Sequence, residues 1–215
     1  EPYKLATSPN GNGGWFSSLK NAGLLDLIHE NGIEWLNVFA VDNVLQRIAD
    51  PCFIGATITE NRSVGAKVVC KNHPDEKVGV MCLKDNHPSI VEYYELTPEL
   101  RDAVDENGEP AYNFGVILNY LFKESELEDI CENTLPLHIV EKKIPYIDDT
   151  GTLIKPEEPN GYKFETLILD MIQMMDTCLP FEVERDKEFA PIKNKTGIDS
   201  VESARALLTK NGVTL

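Results

Sequence analysis

Ser8-Pro9-Asn10-Gly11-Asn12-Gly13-Gly14 stands immediately before a stretch of helical spacing. Three glycines there allow positive φ and close backbone approach, and a helix start offers free N–H groups to an anion or a polar ring. The same residues also suit a plain flexible turn, because the spacing is neither that of a P-loop nor G-x-G-x-x-G. Asp42 directly follows the apolar run Trp35–Val41. An acid at the carboxyl end of a strand is well placed for a metal or a ribose. A lone carboxylate suits Mg²⁺, which takes one or two protein oxygens and completes its shell with phosphate and water. Capping of the following helix is the equal alternative for Asp42. Lys163 follows Asn160-Gly161, and Lys193 lies in Ala190-Pro191-Ile192-Lys193-Asn194. Lysines are mostly solvated surface charges, and placement in loops beside these elements does not by itself lift either far from that role. Glu92, in Val91-Glu92-Tyr93, can accept hydrogen bonds from sugar hydroxyls or face solvent.

The remaining candidates carry less. His29, His73, His87 and His138 show no ligand spacing, and no Ser/His/Asp or Cys/His arrangement stands out. Met171, Met174 and Met175 read as helix core.

The elements that must position these groups alternate between strand and helix type. Residues 17–31 carry Leu19, Ala22, Leu25, Ile28 and His29 at helical spacing, closed by Asn31-Gly32. Trp35–Val41 reads as a strand buried on both faces. A helix over about 54–61 then leads through Val64-Gly65 to a strand at Ala66–Cys70, a passage of right-handed parallel crossover type. Val78–Leu83 and Ser89–Tyr94 flank the turn-rich Lys84–Pro88 and predict a hairpin, so the sheet is expected to be mixed. Residues 102–110 form an exposed loop, 111–122 are apolar, and Ser125 is expected to cap a helix with acids in its first turn. After the 156–161 loop the strongest helix is expected over 164–175, then a strand at 181–185 and a short amphipathic helix from Asp199-Ser200 onward. No repeat or low-complexity tract interrupts the 215 residues, which are expected to form a single α/β domain.

Lys+Arg 20 against Asp+Glu 36 gives a net charge of −16. Such a surface repels phosphate backbones and anionic lipid, so neither nucleic acid nor membrane is an expected partner. An anionic ligand must instead be met by local lysines or backbone N–H groups. The five cysteines are scattered without a C-x-x-C pair, which points to reduced thiols in a cytoplasmic protein and away from a zinc site. No apolar run approaches the roughly 20 residues of a membrane span. The opening Glu1-Pro2-Tyr3-Lys4 is neither a start methionine nor a signal peptide, so the chain is expected to be part of a longer one.

Taken together, the motifs resemble one family. Ser8–Gly14, Val41-Asp42-Asn43, Ala49–Gly55, Gly65–Val69, Val91-Glu92-Tyr93, Lys142–Tyr146, Ile154-Lys155-Pro156, Pro159–Glu165 and Glu188–Asn194 are similar, in order and spacing, to segments of eukaryotic-type UDP-N-acetylglucosamine pyrophosphorylases, over nearly the whole chain. The resemblance implies a nucleotidyltransferase with a Rossmann-like mixed sheet flanked by helices. It implies transfer of uridylate from UTP to N-acetylglucosamine 1-phosphate with Mg²⁺, giving the UDP-sugar and pyrophosphate. It matches Gly11 to a uridine-binding position and Asn12 to a sugar-nucleotide contact. Asp42 matches the acid that holds the metal near the α-phosphate. Gly79, Glu92 and Tyr93 match the sugar-binding strands, with Asn113 in a further substrate-binding segment, and Lys163 and Lys193 match phosphate-binding lysines.

The sequence departs from that family in two places. A glycine-rich loop of G-x-G-T-R type is absent from the 215 residues, so the N-terminal part of the fold is expected to lie upstream, leaving this chain inactive alone. Where the family reads F-N-A-G-N, this chain reads Tyr112-Asn113-Phe114-Gly115-Val116. That leaves another hexose 1-phosphate, glucose or galactose, as an alternative, beside a nucleotide-sugar-binding module without catalysis.

Overall fold

Val64–Cys70 is the segment around which the fold is organised. In a computed structural model, which describes residues 7–131 and 133–214, its first six residues are fully buried and both of its faces are covered. The opening Glu1–Lys4 lies outside the described residues. The chain passes through helices α1 (Trp15–Asn21) and α2 (Leu25–Glu30), strand β1 (Trp35–Phe39), helix α3 (Pro51–Thr59) and then this strand, β2 (Val64–Cys70). A hairpin of β3 (Val80–Lys84) and β4 (His87–Val91) follows, then α4 (Pro98–Arg101), the ten-residue β5 (Phe114–Lys123) and α5 (Glu124–Ile130). Two small ribbons come next, β6 (His138–Lys142) with β9 (Gly161–Glu165), and β7 (Tyr146–Ile147) with β8 (Leu153–Ile154). Helix α6 (Ile168–Gln173), strand β10 (Cys178–Glu182) and helices α7 (Arg185–Glu188) and α8 (Val201–Lys210) complete the chain.

The main sheet is mixed, as expected, in the order β10-β2-β5-β3-β4 with β1 also on β5. Only β10 and β2 pair in parallel; β2, β1 and β3 each run antiparallel to β5. The crossover from β1 through α3 to β2 thus joins strands of like direction with β5 between them. On one edge of β5, β1 covers residues 119–123 and β3 starts at Gly115, so β1 and β3 lie end to end and part over residues 116–118. At the same level the β2–β5 ladder slips between Ala66 and Val68, and Leu118 sits at φ 50°. Such a bulge re-aims side chains and often borders a site.

The core forms from alternate residues. Val64, Ala66 and Val68 of β2 and Tyr120 and Phe122 of β5 pack with Phe16, Ile172 and Met175 from α1 and from α6 and its C-terminal turn. The opposite face of β2 meets α3, where a Cβ on Gly65 would stand 2.5 Å from Thr57 Oγ1 and 2.7 Å from Phe53.

Several expectations are corrected. Trp35–Val41 is not buried on both faces: β1 is half-buried throughout and Val41 is 94% exposed, because β1 pairs with β5 alone. The two-faced burial belongs to β2. The first helix is two, broken where Gly23 takes φ 71°. The helix expected over 164–175 begins only at Ile168, since residues 161–165 pair with β6. The strand placed at 181–185 is Cys178–Glu182, and α5 starts at Glu124 with no side-chain cap. The hairpin, the Asn31-Gly32 stop and the tail helix form where expected, and the structure adds that Ser200 caps the last in a capping box.

Candidate functional site

A cleft of about 260 Å³ opens where β1 and β3 part along β5. Asn12, Asp42, Gly79, Glu92, Tyr93 and Lys193 all line it. They arrive from separate stretches of chain, Glu92 and Tyr93 together, and the backbone explains how.

Gly11 has φ 92°, and a Cβ there would sit 2.1 Å from the carbonyl oxygen of Thr166. The glycine loop is laced onto that residue: Thr166 N–H donates to Asn10 O at 2.8 Å, and Gly13 N–H to Thr166 O at 2.9 Å. Asn12 then accepts the Ile168 N–H on its Oδ1 at 2.9 Å. Its carbonyl oxygen is spent on the start of α6, and its amide Nδ2 is left for the cleft. Gly11→Ala is expected to destabilise the protein by about 1–3 kcal/mol from backbone strain alone, with the Thr166 overlap added. Gly14→Ala, whose Cβ would meet nothing closer than 3.8 Å, is expected to stay within about 0.5 kcal/mol. Thermal melts of the two variants check the difference.

Asp42 lies in the turn just beyond β1 and caps no helix; the N-cap of α3 is Asp50, whose Oδ1 accepts the Cys52 N–H at 3.1 Å. That removes the capping alternative. The Asp42 carboxylate has no hydrogen bond or ion pair with any described residue. A half-buried, unpartnered oxygen pair of this kind fits a hard cation shared with a ligand's phosphates. The next residue, Asn43, is buried and acts as a clip. Its Nδ2 donates to Glu188 O at 2.7 Å and its Oδ1 accepts the Ala190 N–H at 2.8 Å. Ile192 N–H donates to Asp42 O at 2.9 Å. Lys193 follows on the same segment, its backbone N–H on Asp199 O at 2.7 Å and its ammonium without an ion pair among the described residues.

Gly79 precedes β3 and Glu92 follows β4, so the hairpin brings both to one end. Val116 N–H donates to Gly79 O at 2.9 Å, which seats the glycine against β5. Burial pushes the Glu92 carboxyl above its ordinary pKa, and Glu95 adds repulsion, while His138 and Lys193 pull the other way. Tyr93 stacks edge-on against Tyr94 at 5.2 Å between ring centroids. Tyr94 is pushed up to about 12 by burial and by Glu92.

Three expected residues lie outside this convergence. Gly11 is one residue from the lining. Asn113 stands at the root of β5, its Oδ1 accepting the Lys71 N–H at 2.9 Å. Lys163 is on the β6–β9 ribbon, paired with Glu165 at 2.6 Å, and does not line the cleft.

The structure also adds residues. Lys77 lines the cleft, so two lysines face two acids there despite the chain's net −16. His138, given no role from sequence, hydrogen-bonds the Asp170 carboxylate, with Nε2 2.9 Å from Oδ2, and its Nδ1 lies 3.6 Å from Glu95. It therefore ties the ribbon to α6 and to the turn after Glu92. His29, likewise, meets Glu124 and Glu128, and none of these three lines the cleft. No sequence signal separates these histidines from surface ones, since their partners are distant in the chain.

No serine, threonine, cysteine or histidine is among the described residues lining the cleft. The chemistry on offer is positioning and charge compensation, which suits direct attack of one bound substrate on another.

The sequence profile of a family described as UTP--glucose-1-phosphate uridylyltransferase matches residues 2–215. A UDP-N-acetylhexosamine pyrophosphorylase-like protein 1 from Mus musculus is 40% identical over 214 residues, covering 97% of this chain and 42% of that protein. A UDP-N-acetylglucosamine pyrophosphorylase from Saccharomyces cerevisiae is 38% identical over 223 residues, covering 99% and 46%. Among solved structures, one from Entamoeba histolytica, provisionally assigned as a UDP-N-acetylglucosamine pyrophosphorylase, superposes with a TM-score of 0.90. It is 35% identical, covering 98% of this chain and 53% of that one. The chain thus spans less than half the length of these two curated relatives.

Proposed function

The chain belongs to the UTP--glucose-1-phosphate uridylyltransferase family, and from that premise we propose that it carries the substrate cleft of an enzyme making UDP-N-acetylglucosamine and pyrophosphate from UTP and N-acetylglucosamine 1-phosphate. The observation that carries the reading is the meeting of Asn12, Asp42, Gly79, Glu92, Tyr93 and Lys193 in one cleft. Gly11 and Asn12 present backbone and amide groups to the nucleotide. Glu92 and Tyr93 offer acceptors to sugar hydroxyls. A phosphate oxygen of the sugar 1-phosphate forms a bond to the α-phosphorus of UTP as the bond to the β,γ-pyrophosphate breaks. Lys193 compensates the charge that develops on the phosphates. Asp42 would hold Mg²⁺, which when bound neutralises and orients phosphate oxygens. Lys163 would act from the ribbon only after leaving Glu165.

Val116 favours a second reading for the sugar. It lines the cleft beside Gly79 with an apolar side chain, which gives an acetamido group no hydrogen bond, and glucose or galactose 1-phosphate needs none there.

No described helix is long and apolar enough to cross a membrane. All five cysteines are free, which supports a reducing compartment such as the cytoplasm.

Pyrophosphate release is the test. With the full-length gene product, release is expected to require UTP and to be fastest with N-acetylglucosamine 1-phosphate. A faster reaction with glucose or galactose 1-phosphate would shift the assignment to the second reading. Release with none of the three would sink both. The 215 residues by themselves, which lack the G-x-G-T-R-type loop, are expected to turn over little; robust turnover would show that they hold the complete nucleotide site.

A further inference from the structure

Lys67 is fully buried in the middle of β2. Its ammonium lies 2.8 Å from Asp50 Oδ2 and 2.5 Å from Glu188 Oε2, both also buried, and 5.5 Å from the centre of the Phe53 ring. Arg47 closes the outer side, 3.7 Å from Asp50 Oδ1 and 3.5 Å from Glu188 Oε1. Two buried carboxylates on one buried ammonium are costly to assemble and can often be replaced by neutral groups without loss of stability. Stability alone is therefore a poor reason for the arrangement.

Its place in the chain suggests another. Asp50 ends the connection that carries Asp42, and Glu188 opens the connection that carries Lys193. Between these anchors Asn43 grips the backbone of Glu188 and Ala190, Val44 N–H donates to Ala190 O at 3.2 Å, and Ile192 N–H donates to Asp42 O. Both cleft-lining loops are rooted on the same ammonium, and each is stitched to the other.

We propose that Lys67 is a positioning residue whose ammonium, through Asp50 and Glu188, sets the separation of Asp42 and Lys193 across the cleft. It touches no substrate. This rests on the roles given above to Asp42 and Lys193, and displacements of about 1 Å in such groups cost on the order of 10²-fold in rate.

The decisive variant neutralises the buried triad and leaves the exposed Arg47 to solvent: Lys67→Met, Asp50→Asn and Glu188→Gln together, in the full-length gene product. It is expected to melt at or above the parent temperature, yet to lose about 10²-fold in kcat while KM for UTP stays within about threefold. Amide hydrogen exchange at Val44, Ala190 and Ile192 is expected to speed up by tenfold or more, with β5 unchanged. A folded triple variant with parental kcat and parental exchange overturns the proposal. Should the triple variant fail to fold, Asp50→Asn alone decides, since asparagine still caps α3; it is expected to lose about tenfold in kcat and to loosen the same amides, and parental values for both overturn the proposal. Exchange does not depend on catalysis. A parent inactive with every sugar phosphate, whose variants still loosen these amides, therefore sinks the functional reading and leaves the coupling of the loops standing.

Discussion

Lys193→Ala is expected to lower turnover of the full-length gene product by about 10²-fold or more, the cost of deleting one preorganised charge at a developing oxyanion. The argument starts from the backbone. Pro191 bridges to Asn43, and the N–H groups of Ile192, Lys193 and Asn194 are all committed, to Asp42 O and to Asp199 O. A segment held at both ends presents its side chain without a backbone ordering cost when substrate arrives, leaving only the lysine stem to be ordered. The ammonium has no ion pair among the described residues to give up, and it faces Glu92 across the cleft. Lys193→Arg keeps the charge but changes its reach and geometry, so partial recovery at most is expected. Steady-state kinetics with UTP and the preferred sugar phosphate, beside a thermal melt, check both. A near-parental rate for the alanine variant would make Lys193 a surface charge.

Asp42→Asn is expected to remove most Mg²⁺-dependent turnover while weakening nucleotide binding only modestly. The amide keeps the shape and loses the charge that a hard cation needs. Because Asp42 caps no helix and its carboxylate bonds to no described residue, the substitution leaves no neighbour unsatisfied. Uracil and ribose would still meet the Gly11 loop, fixed independently on Thr166. Turnover titrated with Mg²⁺, with UTP binding measured in chelator, separates the two effects. Unchanged metal dependence in the variant would assign the cation to other ligands.

Asp42 and Lys193 could be singled out in the sequence as candidates by their types and their places, after an apolar run and in a proline-bearing loop, and both line the cleft. The β3–β4 hairpin was legible too: Asp85 and Asn86, which take φ 52° and 65°, are residues that tolerate the left-handed region a tight hairpin turn requires. Residues 161–165 were not. Tyr162 and Phe164 alternate with Lys163 and Glu165 at the period of a strand, but the partner that makes them one, His138–Lys142, lies about twenty residues upstream. Nor could the start of α6 be read, since the Asn12 side chain that receives its first N–H is 156 positions away. Lys67 is the clearest case. In sequence it merely interrupts an apolar strand, and its partners stand 17 and 121 residues off. What local pattern conveys is composition and period; what it omits is any group whose meaning comes from a distant partner.

The one parallel pairing of the sheet has a bearing on how the chain is made. Strand β2 meets β10 along Val64–Val68, a partner that leaves the ribosome more than a hundred residues later. Until then one row of its N–H and C=O groups is uncovered, in a segment of valines and alanine that other nascent chains could extend by edge pairing. Lys67 stands in the centre of that exposed edge. Before Glu188 is synthesised its ammonium has only Asp50 and water, and a charge at that spot penalises a dry intermolecular sheet. The lysine that the finished fold buries completely thus puts a charge on the strand whose parallel partner is the last of the sheet to be made.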